Sequence, residues 1–211
     1  AENIRRAENE ADHYEDILGT FLVKLSTRQI SSDDSIEAAK LLKIIGDYER
    51  ISDHAVNIVE SAEELREKKL ELSKDARREI EVLISAVKEI TDISLSAFLS
   101  NDTASAELVE PLEQVIDNLK EKLRTNHIRR LQQEQCSIEA GFVWSDLLTD
   151  LERVSDHCSN IAGCIIDMNM GNLNIHETLK VAKSGSDIFA EHYALYSDKY
   201  KLPSEQVSVN Q

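Results

Sequence analysis

The sequence predicts an all-α protein built as two tandem, pseudo-symmetric, antiparallel three-helix bundles. Three observations carry that expectation. Apolar residues recur at spacings of three and four almost throughout, while strand-like alternation is scarce. Two prolines and six glycines interrupt 211 residues, so long unbroken elements are expected. "DYERISDHAVNI" at 47–58 returns as "DLERVSDHCSNI" at 150–161 with eight of twelve positions identical, which marks a duplicated unit.

The first predicted helix runs from about Glu2 to Arg28, with Ile4, Ala7, Ala11, Leu18, Leu22 and Leu25 along one stripe. The polar turn "SSDDS" at 31–35 separates it from a second helix reaching about Lys69. There Ile44, Tyr48, Ile51, Ala55, Ile58, Ala62 and Leu65 keep the same spacing. Ser73 reads as the N-cap of a third helix ending near Ser100. "SND" at 100–102 opens the second half, and a fourth helix follows, bent at Pro111 where the missing amide donor breaks the ladder. Its stripe is Leu108, Leu112, Val115, Leu119 and Leu123. The fifth helix spans about Ile138 to Asp167 and the sixth about Ile175 to Tyr200, with "MGNLN" at 170–174 as the turn between them. Residues 1–100 and 101–201 are therefore expected to form one three-helix repeat each. Residues 202–211 have no periodic face and are expected to be a flexible tail.

The formal net charge of -16 argues against direct binding of nucleic acid, which needs a basic footprint. Three cysteines, without a metal-type pair or a signal-peptide pattern, point to a reducing cytoplasmic setting. No apolar run approaches the roughly 20 residues that cross a bilayer. The chain opens in helical character without a start Met, which reads as a piece of something longer whose membrane segment lies outside it.

The residues retained in the repeat are mostly polar, whereas a duplicated packing unit should keep its apolar ones. Positions i and i+4 lie one turn apart on the same helix face. Glu49, Asp53 and Asn57 thus form a line opposite the stripe of the second helix, and Glu152, Asp156 and Asn160 do the same on the fifth. Glu8 with Asp12, and Glu113 with Asp117, add a pair to each preceding helix, so four carboxylates can converge in each half. Forty acids among 211 residues give about seven acidic i,i+4 pairs by chance, so one pair means nothing. Two matched sets at equivalent points of a duplication are harder to dismiss. Like charges at that spacing cost about 0.2–0.5 kcal/mol per pair, a sign that a bound cation reverses. Carboxylate and amide oxygens are hard ligands, suited to magnesium, manganese, calcium or ferric iron. His54 and His157 point about 100° away from the acids and are expected at a helix–helix contact. Cys158 falls on the core stripe as an ordinary buried thiol.

At these residues the sequence resembles the phosphate-uptake regulator (PhoU-like) family, whose signature is Glu/Asp-x-x-x-Asp repeated in two three-helix bundles. "YERISDHAVNI" and "LERVSDHCSNI" match its characteristic string, and the likeness spans nearly the whole chain. The resemblance implies metal-binding surfaces at Glu8, Asp12, Glu49, Asp53, Asn57, Glu113, Asp117, Glu152, Asp156 and Asn160, taking iron, zinc, manganese or magnesium. It also implies control of phosphate uptake. Some relatives stand alone between a phosphate transporter and a sensor kinase; others form the cytoplasmic C-terminal part of a sodium/phosphate cotransporter, the arrangement favoured by the helical opening. The likeness also makes a homodimer plausible.

Two other readings compete. A ferritin-like di-iron enzyme needs an inward Glu-x-x-His pair on two helices. Glu10 and His13 offer it once, while Asn118 stands at the equivalent of His13. A purely structural module would keep its acids only for solubility. A non-catalytic, metal-binding regulator is the expectation.

Overall fold

The computed structural model describes residues 1–170 and 187–203. Among these residues the protein is helical with no strand: α1 (Glu2–Ser26), α2 (Ser32–Glu67), α3 (Lys74–Ser100), α4 (Thr103–Glu107), α5 (Val109–Gln132), α6 (Ile138–Met170) and α7 (Asp187–Lys199). Serine caps start α2 and α3 as their chemistry requires. Ser31 accepts from the Asp34 amide and Ser73 from the Ala76 amide, each at 3.1 Å. Three helices stop by turning one residue left-handed: Lys69 after α2, Asn101 after α3 and Glu134 after α5. The next amide then reaches back to the last turn, as in Leu70 N–H to Leu65 C=O at 2.9 Å, satisfying carbonyls that the helix end leaves open.

The expected bend at Pro111 is a break three residues earlier. α4 ends at Glu107, Leu108 joins it to α5, and Pro111 lies in the first turn of α5. A first-turn amide has no intrahelical partner to lose, so the proline there begins a helix rather than distorting one.

One continuous apolar core draws on every helix except α1: Ile44 from α2, Leu83 and Ile90 from α3, Ala106 from α4, Leu112, Ile116 and Leu123 from α5, Trp144, Ile161 and Ile165 from α6, and Tyr196 from α7. α6 is its axis and packs against α2, α3, α4 and α5. The periodicity could not give the direction α3 takes. It lies on α4, α5 and α6, so α1 packs chiefly against α2 alone. Of the stripe expected on α1, Leu22 is buried while Ile4 and Leu18 stay exposed. Leu202, expected in a loose tail, is buried in the core. The expected start of the sixth helix at Ile175, its preceding turn beyond Met170, and residues 204–211 lie outside the described residues.

A polar cluster is sealed under the far end of the second half. Arg130 donates to Glu79 at 2.8 Å, both side chains buried, and its guanidinium lies 5.4 Å over Trp144. His127 stacks on the same indole at 5.9 Å, and burial holds its pKa below the ordinary imidazole value. α6 passes so close that a Cβ on Gly141 would meet His127 Nε2 at 2.8 Å.

Candidate metal centre

The repeated string divides its polar residues between two faces of one helix, because 100° per residue sends Asp47 and His54 one way and Glu49 and Asp53 another. The first face meets the sister copy. His54 Nδ1 donates to Asp150 Oδ1 at 2.8 Å, and His157 Nδ1 donates to Asp47 Oδ1 at 2.8 Å. Asp47 meets His157 while His54 meets Asp150, so α2 and α6 run antiparallel. The two imidazoles stack at 5.7 Å with 26° between planes. Each copy of the motif therefore supplies an acceptor to, and takes a donor from, the other. The helix–helix role expected for His54 and His157 is what the structure shows.

The asparagines join this clasp. Asn57 Nδ2 donates to Asp150 Oδ1 at 3.2 Å, and Asn160 Nδ2 to Asp47 Oδ1 at 3.3 Å. Those bonds tie the amide ends of Asn57 and Asn160 to the clasp, while Asn57 still lines one hollow with Asp53 and Glu8. The i,i+4 spacing leaves such a side chain between two faces, and the charged acceptor on the neighbouring helix takes it.

The second face meets α1 in the first half and α5 in the second. Between α5 and α6, oxygens of Glu113, Asp117 and Asp156 lie within 4.8 Å of one another. Glu113 is buried and the other two are half-buried. Burial raises the Asp156 pKa above the ordinary carboxylate range, with the charges of Glu152 and Asp117 adding to it and Arg153 opposing. Glu152, expected as a fourth ligand, is held by Lys120 Nζ at 2.9 Å. Arg153 braces Asp156 at 3.2 Å. One turn along, Ser159 donates to the buried Glu110 at 2.5 Å.

The first half gathers its acids more loosely. Arg5, Glu8, Asp53 and Asn57 line a hollow of about 400 Å³, with Arg5 tied to Glu63 at 2.7 Å. Burial raises the Glu49 pKa, and the charge and hydrogen bond of Asp53 raise it further, with Glu15 contributing from α1. Asp12 is exposed. Among the described residues, three acids come together as potential ligands at Glu113, Asp117 and Asp156 alone.

Sequence reasoning missed Asp47 and Asp150, the acceptors of the clasp. The signal was present: both are identical in the repeat, and Asp47 shares the apolar stripe with Ile51 and Ile58, where an acid demands a fixed partner.

A family model described as PhoU domain matches residues 1–62 and 80–165. The phosphate-specific transport system accessory protein PhoU homolog 1 of Thermotoga maritima is 29% identical over 147 residues, 70% of this chain and 62% of that protein. The phosphate-specific transport system accessory protein PhoU homolog of Deinococcus radiodurans is 24% identical over 129 residues, 59% of this chain and 57% of that protein. The chain thus spans less than two thirds of the length of these relatives. In three dimensions it is similar to PhoU from Pseudomonas aeruginosa, with a TM-score of 0.73 at 24% identity over 81% of each chain. The phosphate transport system regulatory protein PhoU from Streptococcus pneumoniae superposes with a TM-score of 0.63 at 20% identity, over 82% of this chain and 80% of that one. At those identities the two structures establish the fold.

Proposed function

The chain belongs to the PhoU domain family, and on that premise we propose that it is a regulatory accessory component of a phosphate transport system, loaded with hard metal ions between α5 and α6. The matched relatives carry the name of accessory proteins of phosphate-specific transport systems, which supports an accessory role over the cytoplasmic part of a sodium/phosphate cotransporter. No helix among the described residues is long and apolar enough to cross a membrane. Its partners in this reading are the transporter and a sensor kinase.

The observation that carries the metal reading is the convergence of Glu113, Asp117 and Asp156. The donor set fits iron, manganese, magnesium or zinc: carboxylate oxygens from two helices, brought together where burial already disfavours the charge of Asp156. A bound ion would supply positive charge there. Glu113 and Asp117 present oxygen from α5, Asp156 presents it from α6, and Arg153 keeps Asp156 oriented. Lys120 holds Glu152 aside. The chain's own contribution is thus to tie two helices through one charge centre, while the clasp on the opposite face ties α6 to α2. No catalytic step is assigned to any residue.

The test is the metal content of purified protein after dialysis, read alongside phosphate uptake in cells. Glu113→Gln/Asp117→Asn/Asp156→Asn should lose its metal, keep its helicity and deregulate uptake. Metal retained at the wild-type level would remove the metal reading. Unaltered uptake with the metal lost would remove the regulatory one.

A further inference from the structure

Lys120 stands where the first half carries an acid. The offset of 105 that relates Glu8 to Glu113 and Asp12 to Asp117 also relates Glu15 to Lys120. The exchange sets an ammonium among the carboxylates of α5 and α6. Lys120 Nζ lies 2.9 Å from Glu152 Oε1, with the two side chains 23% and 15% exposed. Glu152 in turn is near enough to Asp156 for its charge to raise the Asp156 pKa.

These contacts limit the oxygens that α6 can give to metal. Asp156 Oδ2 accepts from Arg153 at 3.2 Å, which leaves Oδ1. Glu152 Oε1 accepts from Lys120, and its Oε2 has Arg153 Nε at 3.9 Å. Ligands about 2.0–2.6 Å from a single hard ion lie at most about 4–5.2 Å apart. Oxygens of Glu113, Asp117 and Asp156 within 4.8 Å of one another match that single ion. Paired ions sit about 3.5–4 Å apart and are held by carboxylates that give one oxygen to each. On α6 neither Asp156 nor Glu152 has both oxygens to give.

We infer that the Lys120 ammonium takes the place of a second ion, so that the α5–α6 acids hold one metal ion and the charge at position 120 sets that number. The inference rests on the metal reading of Glu113, Asp117 and Asp156. A lysine suits the task, being a compact point charge that neutralises a carboxylate much as a bound ion does. A metal cation approaching the same Glu152 oxygen would meet its repulsion at close range. Lys120 touches Glu152 and not the ion, so it is a positioning residue. In the first half Glu15 has the opposite sign and adds to the charge beside Glu49.

Manganese content of the whole chain after dialysis tests this, counted as the ions lost when Glu113→Gln/Asp117→Asn/Asp156→Asn is added. Wild type should lose one ion per chain. Lys120→Met, or the milder Lys120→Gln, releases Glu152 and should lose two, a doubling. Lys120→Arg keeps the charge and should lose one. Lys120→Met/Glu152→Gln should return to one, because the released carboxylate is gone. Electron paramagnetic resonance adds a signature that packing alone would not move. Wild type should show the hyperfine pattern of an isolated manganese ion, and Lys120→Met the broadened signal of a coupled pair. Two ions in wild type or in Lys120→Arg, or a single ion in both neutral variants, would overturn this inference and leave the metal reading standing. Manganese indifferent to the three acid substitutions in wild type would overturn the reading of those acids as its ligands, and this inference with it.

Discussion

The two halves carry the same string of polar residues, yet only the second brings three acids within one ion's reach. The difference lies in a neighbour outside the string. Where the first half has Glu15, the second has Lys120. Lys120 holds Glu152 by an ion pair and leaves Glu113, Asp117 and Asp156 to converge. Glu15 instead adds negative charge beside Glu49 and Asp53. In the first half Arg5 is tied to Glu63 and Glu60, and Arg50 only partly offsets the charge around Glu49. A duplicated motif fixes where oxygens begin; the helix opposite decides whether they gather or repel. Three of the eight identical positions serve the contact between the copies, because Asp47, His54 and Asn57 and their copies Asp150, His157 and Asn160 fasten α2 to α6.

The packing side of that contrast gives the largest expected effects. Leu123→Ala, in the core of the second half, should cost about 2–5 kcal/mol in urea unfolding. The equivalent Leu18→Ala on α1, already 43% exposed, should cost under about 1 kcal/mol; equal losses would mean that the halves are packed alike. Gly141→Ala should cost about 1–3 kcal/mol, since its Cβ meets a buried imidazole. Gly46→Ala on α2, with nothing within 4 Å, should gain about 0.5–1 kcal/mol from helix propensity. Asp47→Ala leaves the His157 and Asn160 donors without their acceptor and should lower stability by about 1–3 kcal/mol, with a double-mutant cycle against His157→Ala showing coupling.

The smallest effect is electrostatic and depends on pH. Burial, then Asp53, raises the folded-state pKa of Glu49. A raised carboxyl keeps its proton longer when folded, so its contribution to stability is fully present in acid and is lost as pH rises through the folded value. In metal-free protein, Glu49→Gln should match wild type in acid. It should become more stable than wild type by about 0.2–0.5 kcal/mol near neutrality, where the ionised pair repels. Asp156→Asn should behave in the same sense, because burial and Glu152 raise Asp156. A gap that closes rather than opens on raising the pH would contradict the cause assigned to both.

Much of the fold was legible in the sequence because one period runs through it. The 3.6-residue stripe gave the helices, and the Ser73 cap gave the start of α3. The break at Leu108 was not legible, since leucine is a good helix former and the visible breaker, Pro111, is harmless in a first turn. The left-handed ends at Lys69 and Glu134 carry no glycine to announce them. The course of α3 depends on tertiary burial, which a single stripe leaves open between two partners. In the site, i,i+4 spacing placed the acids on shared faces. The partners of Asn57 and Asn160 lie 93 and 113 residues away, beyond any local pattern. Lys120 could have been found by carrying the offset of 105 one turn past Asp117.

The claim on which the rest turns is that Glu113, Asp117 and Asp156 hold a hard cation. The direct measurement is thermal unfolding of metal-stripped protein with and without manganese, magnesium, zinc or ferric iron, for wild type and Asp117→Asn/Asp156→Asn. At least one ion should raise the wild-type melting temperature, by the equivalent of about 2.7 kcal/mol at a hundredfold excess over its dissociation constant. The double variant should not respond. An equal rise in both proteins, or no rise with any of the four ions, would contradict it.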